Sequence, residues 1–517
     1  MQGGDRRRHV RQGMQAAGFI MIAVVASASA RTPHPQPHQH HDQPRVAVGP
    51  VQSSLVIPPL LTGTTSDGVT TFSLTAQQGT RVLDGVSRRT AGFNDTYLGP
   101  TIRIAQGQRV RIRVTNRLSE STTVHWHGLH VPAEDDGGPY QAIEAGATWE
   151  PNFTVSQPAT TLWYHPHLMG KTAEQVARGM VGMLEITDDS AGEQALPHNY
   201  GVNDIPLIFQ PAPAPAQAAS SPPGRLLVNG SARAIFNSPE SRVRIRMVNA
   251  SGGDVLGVRF RGARRVWQVA SDGGLLAAPV STDRVLLAPS ERAQFVVDTN
   301  PSQPVTVSTA RIADRGAAAT REQAGFMAGT VQPQPEAPLL WITSATASRS
   351  TELPATLASI PDIDTSKAVT RNMDLGPRLE INGMQMLDMT DMSGLLQIPL
   401  NETDVWTIRN RSDVTHAFHV HDIEFRVLSR NGAPPPPSER GWKDTVRAAP
   451  GDVIRIAMTF TDFADSATPY MLHCHVLRHE DAGMMQPFVV VSPAAARAHH
   501  HMPGMDMSGM DMSHMEM

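Results

Sequence analysis

The chain has 517 residues, of which 18% are charged, and its formal net charge is −4. This length is enough for about two to four domains. With so small a net charge, nothing in the composition indicates binding to nucleic acid, which strongly basic chains favour.

The N-terminus has the features of an export signal. Three arginines at residues 6–8 precede an apolar stretch over residues 16–25, and small residues follow at 26–28 and 28–30. This order is typical of a cleaved signal peptide, so we expect residues 1–30 to be removed and the protein to be periplasmic. The apolar stretch is too short to anchor the chain in a bilayer. The paired arginines favour twin-arginine export, which carries folded proteins.

The next segment, residues 31–50, is rich in Pro, His and Gln. We interpret it as a flexible linker, and weak metal capture by His34, His38, His40 and His41 is the alternative.

A repeated strand sequence divides the rest of the chain. RVRIRVTN at 109–116 recurs as RVRIRMVN at 242–249 and, more loosely, as DVWTIRN at 404–410. Short alternating runs bounded by Gly, Pro, Asn and Asp predict an all-β fold. A spacing of roughly 130 to 160 residues suits one β-sandwich for each copy. We therefore predict three domains, at residues 51–190, 200–335 and 338–493.

Four segments place histidines two residues apart. They read HWHG, WYHPH, HAFHVH and HCHVLRHEDAGMM. Residues i and i+2 of a strand point to the same face, so each pair presents two imidazoles side by side. One such pair can be two exposed strand histidines, but four together predict a metal site. The ten histidines are His125, His127, His165, His167, His416, His419, His421, His473, His475 and His479.

The single cysteine, Cys474, lies inside the last of these segments. A lone cysteine is usually a small buried hydrophobe. In an oxidising compartment, however, a free thiol is a hazard, and metal ligation gives it a role. Imidazoles joined by a thiolate and a thioether favour a blue-copper centre. A structural zinc site would need four ligands rather than ten, so copper is the predicted metal.

The middle copy of the repeat is followed by DVLGVRF, without histidine. We therefore expect the middle domain to bind no copper and to act as a spacer. The first and third domains must then meet, because they hold all ten histidines.

The C-terminal residues 494–517 form a low-complexity tail. Seven of the last sixteen residues are methionine, interspersed with Gly, Asp and Ser. Thioethers favour Cu(I), so this tail either captures copper or is inert.

The histidine segments, in this order, resemble the multicopper oxidase family over nearly the whole chain after the signal. The resemblance is closest to bacterial copper-efflux (cuprous) oxidases and bacterial laccases, because VHWHGLHVP, WYHPHLMGKTAEQVARGMVG, FRVLSRNG, GWKDTV and HCHVLRHEDAGMM match beyond the histidines. It implies three consecutive cupredoxin-like Greek-key β-sandwich domains. It also implies four copper ions per chain: one type 1, one type 2 and two type 3.

The same resemblance implies which side chains hold each ion. The type 1 copper is held by His416, Cys474 and His479, with Met484 as axial ligand and Met485 as the alternative. The type 2 copper is held by His125 and His419. The type 3 ions are held by His127, His165 and His475, and by His167, His421 and His473.

The implied reaction takes electrons from a reduced substrate at the type 1 copper and reduces O2 to two waters at the other three ions. Strand alternation places His473 and His475 on one side and Cys474 on the other, which makes the covalent path between the centres short.

Protons for this reaction must come from acids near the copper ions. By motif position we favour Asp136 and Glu480 as catalytic residues beside Cys474. The alternative is that Glu480 and Asp481 only orient imidazoles.

The substrate is less well defined. Met384, Met386, Met389 and Met392 lie in INGMQMLDMTDMSG, and the resemblance implies a Cu(I) site beside the type 1 copper. The methionine expected just before His416 is missing, and only Asp413 is near. Our candidate substrate-copper residues are Met384, Met386, Met389 and Asp413.

Three functions follow from these observations. The first is oxidation of Cu(I) for copper tolerance, the second is laccase-like oxidation of phenols, and the third is copper binding without catalysis in the cell envelope. The predicted partners are O2 and either Cu(I) or a small-molecule reductant. We expect a monomer, with no nucleic acid and no stable membrane insertion.

Overall fold

The computed structural model describes residues 53–215, 224–312, 334–344 and 352–495. The predicted signal peptide, the predicted linker and residues 496–517 of the predicted tail lie outside the described residues. Within the described ranges, no helix is both long and apolar enough to cross a bilayer. The chain is nearly all β, which confirms the predicted fold class.

Two facing sheets form the first β-sandwich. The strands in this part of the chain are β1 (Ser53–Ser54), β2 (Leu60–Leu61), β3 (Thr64–Ser66), β4 (Val69–Leu83), β5 (Val86–Phe93), β6 (Thr101–Ala105), β7 (Arg109–Asn116), β8 (His125–His127), β9 (Thr148–Trp149), β10 (Asn152–Thr154), β11 (Thr160–His165) and β12 (Gly182–Thr187). One sheet has the order β2-β6-β12-β11-β8, and the other β10-β7-β4-β3, with β5 on β4 and β9 on β7. Phe72, Ile112 and Leu184 are among the side chains of its shared core.

The middle sandwich uses the strands that follow. These are β13 (Asp204–Pro211), β14 (Leu226–Val228), β15 (Ala234–Ser238), β16 (Arg242–Asn249), β17 (Val255–Arg261), β18 (Arg265–Ser271), β19 (Gly274–Ser281), β20 (Arg284–Leu287), β21 (Arg292–Asp298), β22 (Val305–Ile312) and β23 (Gln334–Ser344). The sheet orders are β14-β13-β16-β21-β18-β19 and β1-β15-β23-β22-β17-β20.

Two of the predicted domain boundaries disagree with the observed strand pairing. The limits at residues 335 and 338 both fall inside β23, which pairs with β15 and β22. Strand β1, placed by prediction in the first domain, pairs with β15 of the middle sandwich. An edge strand joins a sheet through partners far away in sequence, so its own residues do not reveal which sheet it joins.

The third sandwich holds the C-terminal strands. These are β24 (Val369–Leu375), β25 (Leu396–Pro399), β26 (Thr403–Asn410), β27 (His416–Val420), β28 (Phe425–Arg430), β29 (Trp442–Lys443), β30 (Thr445–Ala448), β31 (Val453–Thr459), β32 (Asp465–Cys474) and β33 (Met485–Val491). The sheet orders are β24-β26-β31-β28-β29 and β25-β33-β32-β27-β30.

The helices among the described residues are short. They include α1 (Thr172–Ala177), α2 (Ala191–Gln194), α3 (Leu477–Asp481) and two 3₁₀ turns at Ala133–Asp135 and Pro437–Glu439.

The repeated strand sequence has the same structural role in all three sandwiches. Strands β7, β16 and β26 each pair in parallel with an earlier strand, β4, β13 and β24 respectively. The terminal asparagines, Asn116, Asn249 and Asn410, are buried and close the following loop. Asn249 donates to the carbonyls of Asp254 (2.7 Å) and Leu287 (2.8 Å) and accepts the N–H two residues later (3.1 Å). The repeat therefore ends in Asn because this side chain replaces the backbone partners that the loop lacks.

The arginines of the repeat differ in environment between copies. In β7 they face solvent, whereas in β16 Arg244 and Arg246 are buried. Arg244 pairs with Glu193 of α2 (2.7 Å), and Arg246 pairs with Asp204 (2.8 Å). Buried charges need such partners, and Arg246 also donates to Thr161 Oγ1 of β11 (3.0 Å), so the network ties the first sandwich to the middle one.

Candidate metal centres

The histidines of the first sandwich lie on two neighbouring strands. Strands β8 and β11 are antiparallel, with His165 opposite His125 and Trp163 opposite His127. Trp126, between the two histidines of β8, points into the apolar core. The alternation HWH therefore buries one aromatic ring in the core and presents two imidazoles on the opposite face.

The third sandwich provides the remaining histidines in the same way. Strands β27 and β32 are antiparallel, with His419 opposite His473 and Phe418 opposite Cys474. Cys474 and Phe418 belong to the core of this sandwich, whereas His419 and His473 face the histidines of the first sandwich. Strand alternation thus sends the sulfur and the imidazoles to opposite faces of one sheet, as the sequence predicted.

Two groups of three ring nitrogens converge between the first and third sandwiches. In the first group, His165 Nε2 lies 3.4 Å from His127 Nδ1 and 3.4 Å from His475 Nε2. In the second group, His473 Nε2 lies 3.2 Å from both His167 Nε2 and His421 Nε2. These groups contain the same residues as the two predicted type 3 sets.

Two other ring nitrogens lie beside these groups without a partner. His125 Nε2 and His419 Nε2 are buried and have no hydrogen bond among the described residues. The donor atoms of His125, His419 and His421 lie within 4.8 Å of one another. Leaving a buried nitrogen unpaired costs about 1–3 kcal/mol, so this arrangement fits a bound cation, such as copper.

The outer ring nitrogens are held by carboxylates and carbonyls. His125 Nδ1 donates to the Asp136 carbonyl (3.0 Å), and His421 Nδ1 donates to its carboxylate (2.8 Å). Glu480 lies 3.3 Å from His167 Nδ1 and 3.1 Å from His473 Nδ1. The bonds to Asp136 leave Nε2 of His125 and His421 free as ligands and so fix the ligating tautomer of these two rings, whereas Glu480 faces its two rings at ion-pair distance.

The predicted acids Asp136 and Glu480 therefore contact the rings directly. Burial alone would raise the pKa of Glu480, but His167 and His473 hold it at about 2. Burial opposes ionisation of Asp136 too, yet His125 and His421 keep its pKa well below the usual range. Both side chains are carboxylates at neutral pH.

Asp481, the other predicted orienter, has a different role. Its side chain accepts the backbone N–H groups of Thr172 (2.9 Å) and Ala173 (3.0 Å) in α1, so it ties the first sandwich to the third. Among the described residues it forms no hydrogen bond with a histidine.

A separate group lies inside the third sandwich. Cys474 Sγ is 3.3 Å from His416 Nδ1 and 3.5 Å from His479 Nδ1, and these two nitrogens are 3.3 Å apart. Met484 is fully buried in the same core as Cys474. Met485 instead packs with Met386 and Met471. The arrangement favours Met484 over Met485 as the fourth side chain of this group.

The protonation of this group also suits a metal. Burial lowers the pKa of His416 well below its usual value and that of His479 to about 4, so both rings are neutral. Burial raises the pKa of the Cys474 thiol to about 12. A thiol in this environment is unreactive by itself, and a coordinated metal ion is what would displace its proton.

Three residues that the sequence analysis did not single out support these groups. Asp444 accepts a bond from His127 Nε2 (3.3 Å) through its side chain and from His419 Nδ1 (2.9 Å) through its carbonyl. Arg292 of the middle sandwich forms a buried two-point contact with the Asp444 carboxylate. Ser412 Oγ lies 2.8 Å from His416 Nε2.

These contacts correct the prediction that the middle domain is only a spacer. It provides no histidine, but Arg292 fixes the carboxylate that orients His127. Asp444 lies within the GWKDTV motif, which the sequence analysis used only as a sign of resemblance.

The predicted substrate-copper residues are not all brought together. Met386 and Met389 share one cluster. Met384 packs against Gly394 instead. Asp413 makes no hydrogen bond with this segment among the described residues, since Asn410 draws its loop back towards Val414 (2.7 Å).

Comparison with known proteins gives consistent matches. Two sequence profiles, both described as multicopper oxidase, match residues 75–191 and 356–494. The multicopper oxidase mco of Staphylococcus haemolyticus is 31% identical over 463 residues, which cover 86% of this chain and 95% of the relative. The cell division protein FtsP of Pectobacterium atrosepticum is 31% identical over 500 residues, with 93% and 98% covered.

Solved structures also match. A bacterial laccase-like multi-copper oxidase CueO from Ochrobactrum sp., with oxidase activity towards lignin model compounds and lignosulfonate, superposes with a TM-score of 0.73. It is 31% identical in sequence, and the match covers 84% of this chain and all of that protein.

Proposed function

Since this chain belongs to the multicopper oxidase family, we propose that it oxidises Cu(I) to Cu(II) and transfers the electrons to O2. The observation that supports this most directly is the convergence of ten buried histidines, one cysteine and one methionine into separate groups. Members of the family use O2 and a reductant, and the identity of the reductant is part of our proposal.

We assign four copper ions to these groups. His416, Cys474, His479 and Met484 would hold the type 1 ion, and His125 and His419 the type 2 ion. The two sets of three converging nitrogens would hold the type 3 ions. Bound copper would supply one-electron oxidation of the substrate and four-electron reduction of O2 to two waters.

The protein's own contribution is geometric and electrostatic. Asp136 and Asp444 accept bonds that hold their rings in the ligating tautomer, and Glu480 places a carboxylate beside two further rings. Burial lowers the pKa of His127, His165 and His421 well below its usual value. The peptide chain through Cys474 joins the sulfur side of the sheet to His473 and His475 on the other side.

Asp136 and Glu480 remain our proposed proton-handling groups. Glu480 is a buried carboxylate that faces the rings of His167 and His473, so it lies where protons have to be delivered. In Glu480→Gln, the amide keeps the volume but cannot be a carboxylate. Full copper content with unchanged oxygen consumption in this variant would assign Glu480 to positioning alone.

Cu(I) is favoured as substrate by the methionine-rich segment over residues 384–392, because thioethers select Cu(I). A phenolic donor is the second candidate, supported by the activity of the Ochrobactrum relative. We propose that the protein acts in the periplasm as a monomer.

Metal analysis and absorption test the assignment. We expect four copper ions per chain, an intense blue band and a near-ultraviolet shoulder. In Cys474→Ser, the blue band and oxygen consumption should be lost, whereas the three-ion group should remain. A fully loaded, active protein with one ion per chain would contradict the assignment.

Two further comparisons separate the remaining functions. Oxygen consumption with Cu(I) and with a phenol, before and after removal of residues 499–517, decides the substrate and the contribution of the tail. The cell division relatives make a non-catalytic protein the third candidate. A colourless copper-loaded protein that consumes no oxygen would support that candidate.

A further inference from the structure

Five methionines from four chain segments pack together between the first and third sandwiches. We call this group, together with Tyr140, the thioether cluster, and its methionines are Met169, Met386, Met389, Met471 and Met485. Three of them are nearly completely buried, and Met169, Met389 and Tyr140 remain partly accessible. The Tyr140 hydroxyl also lies 3.9 Å from the sulfur of Met392. The cluster thus extends from the interior towards the surface.

An ordinary apolar core does not explain this composition. Methionine makes up 24 of the 517 residues, yet it provides every member of the cluster except one tyrosine. In the same segment Leu387 is 71% exposed, whereas Met386 is 4% exposed. Burying Leu would stabilise the fold about as much as burying Met, so hydrophobicity alone does not select sulfur here.

The cluster lies on the histidine side of the third sandwich. Met485 is directly opposite His473 in the pairing of β32 and β33, and Met471 is two residues before His473 on the same strand face. Met169 is two residues after His167. The thioethers therefore border the nitrogen group formed by His167, His421 and His473. Cys474 points to the opposite face.

The surroundings favour a soft cation. Thioether sulfur prefers Cu(I) among the biological metals. Asp388 and Asp391 lie on the same segment and are fully exposed, and hydrogen bonds from Thr390 and Ser393 lower their pKa values. Two carboxylates therefore place negative charge at the outer end of the cluster, where it attracts cations.

We propose that the thioether cluster is a Cu(I)-binding site through which copper reaches the neighbouring histidines when the metal centre is assembled. The site is distinct from the Cys474 group, and the inference does not depend on which substrate the enzyme oxidises. The partly accessible Met169 and Met389 receive the ion, and Met471 and Met485 bring it to His473.

The first test uses Ag(I), a redox-inert substitute for Cu(I), with the full-length, copper-loaded protein. Methyl NMR of the methionines reports each thioether separately, so binding to the C-terminal tail does not interfere. We expect Ag(I) to shift the methyl signals of Met169, Met389 and Met485. In Met169→Leu/Met389→Leu, the affinity at Met485 should fall by about tenfold or more, as when partners of metal ligands are removed.

The second test measures loading. Metal-free protein is mixed with Cu(I) without oxygen, and filling of the centres is followed by copper content over time. The double variant should fill about tenfold more slowly but reach the same final copper content, because the histidines are unchanged. Met247→Leu/Met458→Leu, which alters two buried methionines in the other cores, should fill at the normal rate. Leu for Met conserves volume, so both variants should fold.

Either of two results would overturn the inference. One is the absence of Ag(I)-dependent shifts at the cluster methionines. The other is a normal loading rate in Met169→Leu/Met389→Leu. Both measurements are independent of oxidase turnover, so they can fail while the proposed function stands.

Discussion

The buried contact of Arg292 and Asp444 with His127 joins all three sandwiches. It offers the most direct test of how the candidate copper ligands are oriented. Arg292 and Asp444 are completely buried, and Asp444 also accepts the bond from His127. Asp444→Leu removes that acceptor and leaves the guanidinium without its main partner. Breaking a buried pair costs about 3–5 kcal/mol. Because Asp272 lies 3.9 Å from Arg292, we expect the lower end of this range.

The double variant Arg292→Met/Asp444→Leu separates stability from metal binding. Replacing both partners by apolar side chains of similar size is often close to neutral, so most of the lost stability should return. His127 Nε2 still lacks its acceptor, and its tautomer is no longer fixed. Copper affinity at the nitrogens of His127, His165 and His475 should therefore remain about 10–100-fold lower.

Two measurements check this reasoning. Urea unfolding of the metal-free protein gives the change in stability, and titration with a chelator gives the copper affinity. Arg242→Met/Asp298→Leu is the matched control, since this pair (2.7 Å) joins β16 and β21 within the middle sandwich. If the first double variant kept the copper affinity of the unmodified protein, the role assigned to Asp444 would be refuted.

Three other predictions follow from the contacts described. Burial alone would raise the pKa of Glu193, but Arg244 holds it at about 2. Its ionised form therefore stabilises the fold by about 3 kcal/mol above pH 4.5, and this is lost as the pH falls from 4.5 to 2. Glu193→Gln should unfold more easily at pH 7 but lose less stability on acidification, and an unchanged pH slope of the urea midpoint would count against this. Asn249→Ala removes two buried hydrogen bonds and one partly buried one, and it should cost about 2–4 kcal/mol without changing the copper content, as checked by unfolding and metal analysis. Ser412→Ala leaves His416 Nε2 without its partner and should weaken copper binding beside Cys474 by about tenfold, while the near-ultraviolet shoulder persists. If a chelator removed the blue band of this variant no more easily than that of the unmodified protein, the prediction would be contradicted.

Local sequence patterns were sufficient for the fold class and for the faces on which the histidines and Cys474 lie, whereas the resemblance to multicopper oxidases implied the sets that converge. Alternation in HWH and HCH fixes which residues share a face, and the repeat of RVRIRVTN reveals one strand in each sandwich. Both patterns involve residues that are only a few positions apart, so they can be read from a single sequence. The metal assigned to each set remains a proposal, although the nitrogens and the sulfur of each predicted set converge.

The tertiary structure alone decided which side chains support the candidate copper ligands. Arg292 and Asp444 are 152 positions apart, and His127 and Asp444 are 317 apart, so no local pattern links them. The same holds for Met169 and Met485, which join one cluster only when the first and third sandwiches dock, and for β1, which pairs with a strand of the middle sandwich. Strand periodicity determines the face on which a side chain lies, whereas docking of whole sheets determines what that face meets.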